Sequence, residues 1–85
     1  MDYRQNVIQA LRDYPITQSY MIKNALSFLS AEEFRVIEGS YIDKEAKTII
    51  ALAAEIHCDR ATIGRIKRAA LRKLVLSVHS IDIEN

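Results

Sequence analysis

The sequence has few of the residues that interrupt regular secondary structure: two glycines and one proline among 85 residues. This scarcity excludes a flexible linker or a collagen-like repeat. It also argues against an all-β fold, which needs a turn residue every ~8–12 positions. Uninterrupted apolar runs are only a few residues long, and the N-terminal residues lack the basic start and apolar core of a secretory signal. We therefore expect a helical protein with no membrane span.

Only one cysteine, Cys58, is present, so no internal disulfide is possible, which is typical of a reducing cytoplasm. A metal site is not expected at the consecutive residues His57, Cys58 and Asp59. Tetrahedral zinc needs four ligands, usually supplied in part by paired cysteines. We instead expect Cys58 to be a small buried hydrophobe that packs against Ile63.

Signatures of catalysis are also missing from the sequence. It has no glycine-rich phosphate loop and no Gly-x-Ser-x-Gly elbow. Glu32 and Glu33 are adjacent carboxylates, but Glu33 follows Ser30 by three residues, which is the spacing of a helix capping box. We therefore predict that the protein is not an enzyme and uses no cofactor.

The composition, 49% hydrophobic and 27% charged, is that of an ordinary globular domain. Helical spacing of the apolar residues predicts a single all-α domain, residues 1–85, of about five helices with short connections. The first predicted helix is 2–14 and is ended by Pro15, and the second is 17–28 and is capped by Thr17. The third begins with the Ser30–Glu33 capping box. The fourth is 43–56, capped by Asp43, and the fifth and longest is 60–78, capped by Asp59. The last residues, 79–85, form a tail whose alternating apolar pattern leaves its structure open.

Charge is distributed unevenly along the chain. The formal net charge is +1, yet residues 60–76 contain six basic residues and no acid. The other residues include six basic and eleven acidic side chains, a net charge of −5. A basic surface on an acidic body is expected of a nucleic-acid-binding protein, although a solvated helix face carries such charges too.

The last two predicted helices have the features of a helix-turn-helix. Ala53 is small where the two helices of this motif approach most closely, and Ile56, Ile63 and Ile66 supply apolar contacts between them. His57 lies where the turn tends to need a positive φ, which histidine tolerates better than most residues. A plain helical hairpin is the competing interpretation.

The final helix favours DNA binding over the plain hairpin. At 100° per residue its apolar and basic residues lie on opposite sides, as a helix in the major groove requires. The apolar side consists of Ile63, Ile66, Ala70 and Leu74, and the candidate DNA-binding residues are Arg60, Thr62, Gly64, Arg65, Lys67, Arg68, Arg72 and Lys73. Arg72 and the two lysines are expected to hold the DNA backbone.

The other candidates have different expected roles. Arg65 and Arg68 are expected to contact bases or phosphates, because a planar guanidinium grips a guanine edge or a phosphate with two hydrogen bonds. Arg60 and Thr62 lie at the helix start, where the helix dipole favours phosphate. At Gly64 a small side chain lets DNA come close, and simple packing tolerance is the alternative explanation.

Residues 29–37, Tyr41, 50–56 and 63–74 together resemble region 4 of bacterial sigma factors, which reads the upstream promoter element through a helix-turn-helix. The ending Ala70-Leu71-Arg72-Lys73-Leu74 is the most similar part. The resemblance covers roughly positions 29 to 76. It divides the domain into N-terminal helices at 1–28, a helix-turn-helix portion at 29–78 and the tail. The sigma regions that bind core polymerase and the melted promoter element are absent here.

A short chain with this ending, preceded by two helices, is similar to the small phage and prophage late-gene regulators of the ArpU and RinA type. This resemblance implies a transcriptional regulator that acts on late, lysis or packaging genes. Its partner is then double-stranded DNA, and its location is the cytoplasm of a bacterial host.

Two other partners are compatible with the sequence. In the main rival interpretation the chain is an adaptor or anti-activator that binds RNA polymerase or another regulator and makes no DNA contact. The first two helices and Leu76 are then candidate docking surfaces. A homodimer is the second possibility, since most helix-turn-helix regulators bind paired half-sites. Such pairing is expected to use the first two helices or the C-terminal end.

Overall fold

The computed structural model describes the backbone of residues 3–84 and the side chains of residues 3–78. Within these residues the fold is all-α, as predicted, and contains no strand. The elements are α1 (Tyr3–Thr17), α2 (Tyr20–Leu26), α3 (Ala31–Ile37), a π-helical turn (Glu38–Ile42), α4 (Ile49–Ile56) and α5 (Arg60–Glu84). The longest helix, α5, contacts each of the other four α-helices, so it forms the centre of the domain.

The prediction that α1 ends before Pro15 is wrong, because the helix continues to Thr17. Proline inside a helix removes one hydrogen bond and crowds the preceding turn. Here Pro15 lies in the last turn, so little helix remains to be disturbed. Gln18 then adopts a left-handed φ of 46°, and its N–H donates to the Tyr14 carbonyl at 2.8 Å, which closes the helix.

The predicted cap of α2 is also wrong. Ser19, not Thr17, is the capping residue, and its hydroxyl accepts a hydrogen bond from the Ile22 N–H at 3.5 Å. Thr17 instead ends α1, and its hydroxyl accepts from the Ser19 N–H at 3.3 Å. The helix stops at Leu26. The Ser27 amide is shared between the carbonyls of Lys23 and Asn24, and the amides of Phe28 and Leu29 donate to carbonyls three residues back, which tightens the chain into a turn.

The capping box at the start of α3 is confirmed. The Ser30 hydroxyl accepts from the Glu33 N–H at 3.1 Å, and the Ser30 N–H donates to a Glu33 carboxylate oxygen at 2.9 Å. After α3 the backbone widens into the π-helical turn, where Gly39 is buried. A β-carbon at Gly39 would lie only 2.7 Å from Cδ2 of Leu52. Glycine therefore allows the close approach of α4 to this turn.

Asp43 does not cap α4, contrary to the prediction. Its N–H donates to the Glu38 carbonyl at 2.8 Å, so it ends the π-helical turn instead of starting the next helix. The residues that follow form a loop, and Thr48 caps α4 by accepting from the Ala51 N–H at 3.1 Å. The predicted helix was too long because the apolar pattern alone did not distinguish this loop from a first turn.

The predicted start of α5 is confirmed, and its end is later than predicted. Asp59 caps the helix, with one carboxylate oxygen accepting from the Thr62 N–H at 2.7 Å. The helix reaches Glu84, so the backbone of 79–84 belongs to α5. The side chains of these residues, His79 among them, lie outside the described residues.

Two clusters of buried side chains form the core, and α5 contributes to both. The cluster between α3, α4 and α5, here called the helix-pair core, contains Val36, Leu52, Ala53 and Ile63, with Ile56, Cys58 and Ile66 packed against it. The N-terminal core contains Val7, Leu11, Ile22, Ala25, Leu26, Ile37, Ala70, Leu71 and Leu74. Because α5 runs through both clusters, the orientation of its first half is tied to α1 and α2.

Candidate nucleic-acid interface

The solvent face of α5 is rich in arginine. Arg65, Arg68 and Arg72 are exposed along the helix, and Arg60 is exposed at its start. None of the four forms an ion pair or a side-chain hydrogen bond with any residue in the described part of the chain. On the opposite side Ile63, Ala70 and Leu74 are at most 1% exposed. The arginines are therefore available to a partner outside the chain while the same helix stays anchored in the core.

The two lysines of this segment have partners within the domain. Lys67 is half-buried, and its Nζ lies 5.1 Å from the centroid of the Tyr41 ring, within the range of a cation–π contact. The Nζ of Lys73 lies 2.7 Å from a carboxylate oxygen of Glu33. The six basic residues of 60–76 therefore divide into four arginines without an ion pair to any residue whose side chain is described and two lysines that contact the domain body.

The start of α5 is partly occupied by its own cap. Hydrogen bonds from Thr62 hold the pKa of Asp59 below its usual value, and the charge of Arg65 contributes less. The ionised carboxylate thus sits at the positive end of the helix dipole and takes the Thr62 N–H. A phosphate approaching this helix start would meet the exposed Arg60 side chain, because both the amide and the side chain of Thr62 are already bonded to Asp59.

The turn between α4 and α5 comprises three residues and has one left-handed position. His57 has φ 63° and ψ 41°, which confirms the expected positive φ. The amides of His57 and Cys58 both donate to the Ala53 carbonyl, the latter at 3.0 Å. Cys58 is half-buried against the helix-pair core that contains Ile63. This short connection closes α4 and allows α5 to start at once.

Replacing His57 with glycine is expected to raise the free energy of unfolding by about 0.5–1 kcal/mol. A left-handed conformation costs roughly 1–2 kcal/mol for residues other than glycine, and the greater chain entropy of unfolded glycine offsets part of the gain. His57→Val is the matched variant and is expected to be less stable than the wild type. Urea denaturation measures both. A loss of stability in His57→Gly would show that the imidazole makes a stabilising contact.

Glu33 links the start of α3 to α5. The hydrogen bond from Lys73 is the main cause that lowers the pKa of Glu33, and the bond from the Ser30 amide is the second. The Glu33 side chain is 13% exposed and that of Lys73 is 50% exposed, so only the carboxylate side of this ion pair is shielded from water. The same carboxylate therefore completes the capping box and holds Lys73.

Acid is expected to weaken this link. The pKa of Glu33 is lower in the folded state than in the unfolded state, so the stability it contributes is fully present above the unfolded pKa of about 4.3. It is lost as the pH falls through the lower, folded pKa. The difference in free energy of unfolding between the wild type and Glu33→Gln should therefore shrink from pH 6 to pH 3. Glu32→Gln changes the exposed neighbouring position. If its difference in free energy of unfolding from the wild type shrank equally between pH 6 and pH 3, this prediction would be contradicted.

The acidic residue of α4 is paired with basic side chains from outside that helix. Glu55 is the only acidic residue of this helix, and its carboxylate forms ion pairs with Arg35 and with Lys47, the latter at 3.0 Å. These pairs join residues 8 and 20 positions apart, and no sequence pattern indicated them. They balance an acidic charge that would otherwise lie unpaired on the helix preceding the arginine face.

Gly64 is half-exposed in the first half of α5 and has no positive φ. A β-carbon there would meet only Nη1 of Arg68, at 3.5 Å, which is an ordinary contact distance. The fold therefore does not require glycine at this position. Glycine in a helix costs about 1 kcal/mol relative to alanine, and no contact within the described fold explains its presence here.

The described part of the chain shows neither a metal site nor a membrane span. Residues 3–78 contain no group of three or more His, Cys, Asp or Glu side chains that could hold a metal ion. None of the helices described above is both long and apolar enough to cross a membrane.

Comparisons with protein-family models, with curated proteins and with solved structures found no match for this chain. The fold and the site define a small all-α protein with an arginine-rich helix face. Its function is therefore argued from the geometry of that face.

Proposed function

We propose that this chain is a sequence-specific, double-stranded DNA-binding transcriptional regulator in which α4 and α5 form the helix-turn-helix. Its key feature is the solvent face of α5, where Arg65, Arg68 and Arg72 are exposed and unpaired among the described residues. The major groove, about 12 Å wide, admits one helix. Because the apolar side of α5 stays in the core, docking requires no unfolding.

The arginines cover a length that suits the groove. From Arg60 to Arg72 the helix rises roughly 18 Å at 1.5 Å per residue, which corresponds to about five base pairs at 3.4 Å each. Arg65 and Arg68 occupy the middle of this stretch and are proposed to contact bases or phosphates. Lys67 and Lys73, which have partners within the domain, add to the positive field and contribute less direct contact.

The resemblance to sigma region 4 and to ArpU and RinA type regulators supports this assignment. In the matching segment, Ala70, Leu71 and Leu74 are at most 4% exposed, so the apolar positions of the motif serve the core and its basic positions face outward or toward Glu33. Regulation of phage or prophage late genes is the corresponding biological role, exerted in the cytoplasm of a bacterial host.

A titration with duplex DNA at several salt concentrations tests the proposal. If four to six cations reach phosphates, the logarithm of the association constant should fall against the logarithm of salt with a slope of about −4 to −5. Selection from a random duplex pool should then yield one preferred sequence, and a genomic footprint would identify the operator. Binding that is insensitive to salt, or selection of no preferred sequence, would contradict a sequence-specific role.

Gly64→Ala is expected to raise the stability of the protein and to weaken its DNA binding, so the variant distinguishes the two effects. The variant should be more stable by up to about 1 kcal/mol, since alanine favours the helix and meets only Arg68. The added methyl group should nevertheless weaken DNA binding if the backbone approaches DNA at this point. Melting curves and the same DNA titration provide both readings. Unchanged affinity would remove Gly64 from the interface.

A second function, a protein-interaction module that binds polymerase or another regulator, is favoured by exposed apolar side chains elsewhere. Ile16 is 90%, Tyr20 82% and Phe28 63% exposed around α2, and Leu76 is 60% exposed on α5. Large exposed apolar side chains mark protein contacts where they form a contiguous patch. Polymerase binding that persists when the arginines of α5 are replaced, together with absent DNA binding, would favour this function.

The same apolar residues are proposed to serve pairing with a second copy, which leaves the arginine face free. Two copies would place two α5 helices on half-sites about one helical turn apart. Tyr20→Ser with Phe28→Ser is then expected to convert a dimer into a monomer in sedimentation experiments. A strict monomer, both free and on DNA, would refute the pairing.

A further inference from the structure

A cleft of about 740 Å³ lies between the C-terminal part of α1 and the π-helical turn with its following loop. Its volume falls within the ~300–1,000 Å³ typical of small-molecule sites. Apolar side chains supply much of the lining, among them Pro15, Ile16 and Ile42. None of the lining residues belongs to α5, so the cleft is separate from the arginine face.

Ser40 lines this cleft and carries a buried hydroxyl without a partner. The residue is 8% exposed, and its Oγ forms no hydrogen bond with the described residues. A buried polar group left unpaired is unfavourable, so it calls for an explanation. Ser40 is part of the π-helical turn, a rare backbone form that occurs frequently at functional sites. The Oγ itself is enclosed, so a ligand that accepts a hydrogen bond would satisfy it only after the Ser40 side chain rotates toward the cleft.

The charges around the cleft are mainly positive. Arg12 and Lys44 are both exposed on its lining, and neither forms an ion pair with a residue in the described part of the chain. The Arg12 guanidinium lies 6.0 Å from the centroid of the Tyr41 ring, which leaves its outer edge available for a carboxylate. Asp43 is the only acid on the lining. The cleft therefore suits an anionic ligand better than a cationic one.

We propose that this cleft binds a small organic anion with an apolar body, such as an aromatic carboxylate. Arg12 and Lys44 hold the charged group, and the Ser40 hydroxyl, once its side chain has rotated toward the cleft, donates a hydrogen bond to it. The apolar body packs against Pro15 and Ile42. A bare inorganic anion would leave these apolar walls in contact with water, which is why the ligand needs both parts. The proposal does not depend on DNA binding.

A titration of the ¹⁵N-labelled full chain, followed by NMR, tests this site with benzoate as the probe. Benzoate should shift the amides of residues 40–46 and of Arg12 in a saturable manner. Benzyl alcohol, which has the ring without the charge, and inorganic phosphate, which has the charge without the ring, should each bind at least tenfold more weakly. Equal binding of either comparison probe, or shifts spread evenly over the chain, would overturn the proposal.

Variants identify the residues that hold the anion. Arg12→Gln should weaken benzoate binding at least tenfold. Lys23→Gln, which removes an exposed charge from α2, should leave it unchanged. Ser40→Ala should weaken binding severalfold and yet raise the melting temperature of the free protein, because it removes an unpaired buried hydroxyl. A lower melting temperature in Ser40→Ala, or benzoate binding equal to that of the wild type in Arg12→Gln, would refute the site.

Discussion

Arg65→Ala and Arg68→Ala are each expected to weaken binding to duplex DNA by about 5- to 150-fold if the arginine contacts a guanine edge. This range corresponds to ~1–3 kcal/mol for one bidentate contact, with tenfold in affinity for each 1.4 kcal/mol. The preference at the contacted base pair should relax at the same time. If the arginine grips a phosphate instead, all sequences should weaken alike and the salt slope should fall by about one unit.

These two substitutions should leave the fold intact, because both side chains are exposed and lie opposite the buried face of α5. Exposed substitutions usually change stability by within about 0.5 kcal/mol, and thermal melts provide the check. Lys23→Ala is the matched control, since it removes one positive charge from α2 and should affect DNA binding little. Wild-type affinity in the double arginine variant would favour the protein-interaction function instead.

Ile63→Ala is expected to cause the largest loss of stability among the substitutions considered, about 2–5 kcal/mol. Ile63 is 0% exposed in the helix-pair core, where it packs with Val36 and Leu52. Truncation leaves a cavity that close-packed neighbours cannot readily fill. A domain of this size has a total free energy of unfolding of about 4–13 kcal/mol at typical values per residue. The loss caused by Ile63→Ala is therefore a substantial part of the total. Urea denaturation measures it.

Leu76→Ala is the control for this prediction, because Leu76 lies on the same helix and is 60% exposed. Its replacement should cost about 0.5 kcal/mol or less. Similar losses in Leu76→Ala and Ile63→Ala would mean that α5 is not anchored through the helix-pair core. Ile63→Ala should lose DNA binding only under conditions in which the variant is unfolded.

Local features of the fold were predictable from the sequence. The capping box of Ser30 and Glu33 and the cap of Asp59 depend on atoms within four residues, so their spacing in the chain determines them. The positive φ of His57 was predictable for the same reason, since a three-residue turn between two helices needs such a residue. The division of α5 into a buried and an exposed side follows from its helical period.

Helix boundaries elsewhere were predicted less well. Thr17 and Asp43 are good capping residues by type, yet Ser19 and Thr48 hold those positions. Several polar residues lie near each boundary, and the sequence does not say which one meets the first turn. Likewise, α1 does not end before Pro15 but continues to Thr17. In each case the choice depends on where the chain must turn to bury its apolar side.

The all-α class, the arginine side of α5 and the caps of α3 and α5 were determined by the sequence itself, because they arise from interactions between near neighbours. The partners of the lysines were decided only by the tertiary structure. Lys73 meets Glu33 across 40 positions, and Lys67 meets Tyr41 from another element. The contact between Gly39 and Leu52, and the cleft that contains Ser40, also depend on how distant segments pack. Such contacts require the folded arrangement, since no period or spacing in a single chain encodes them.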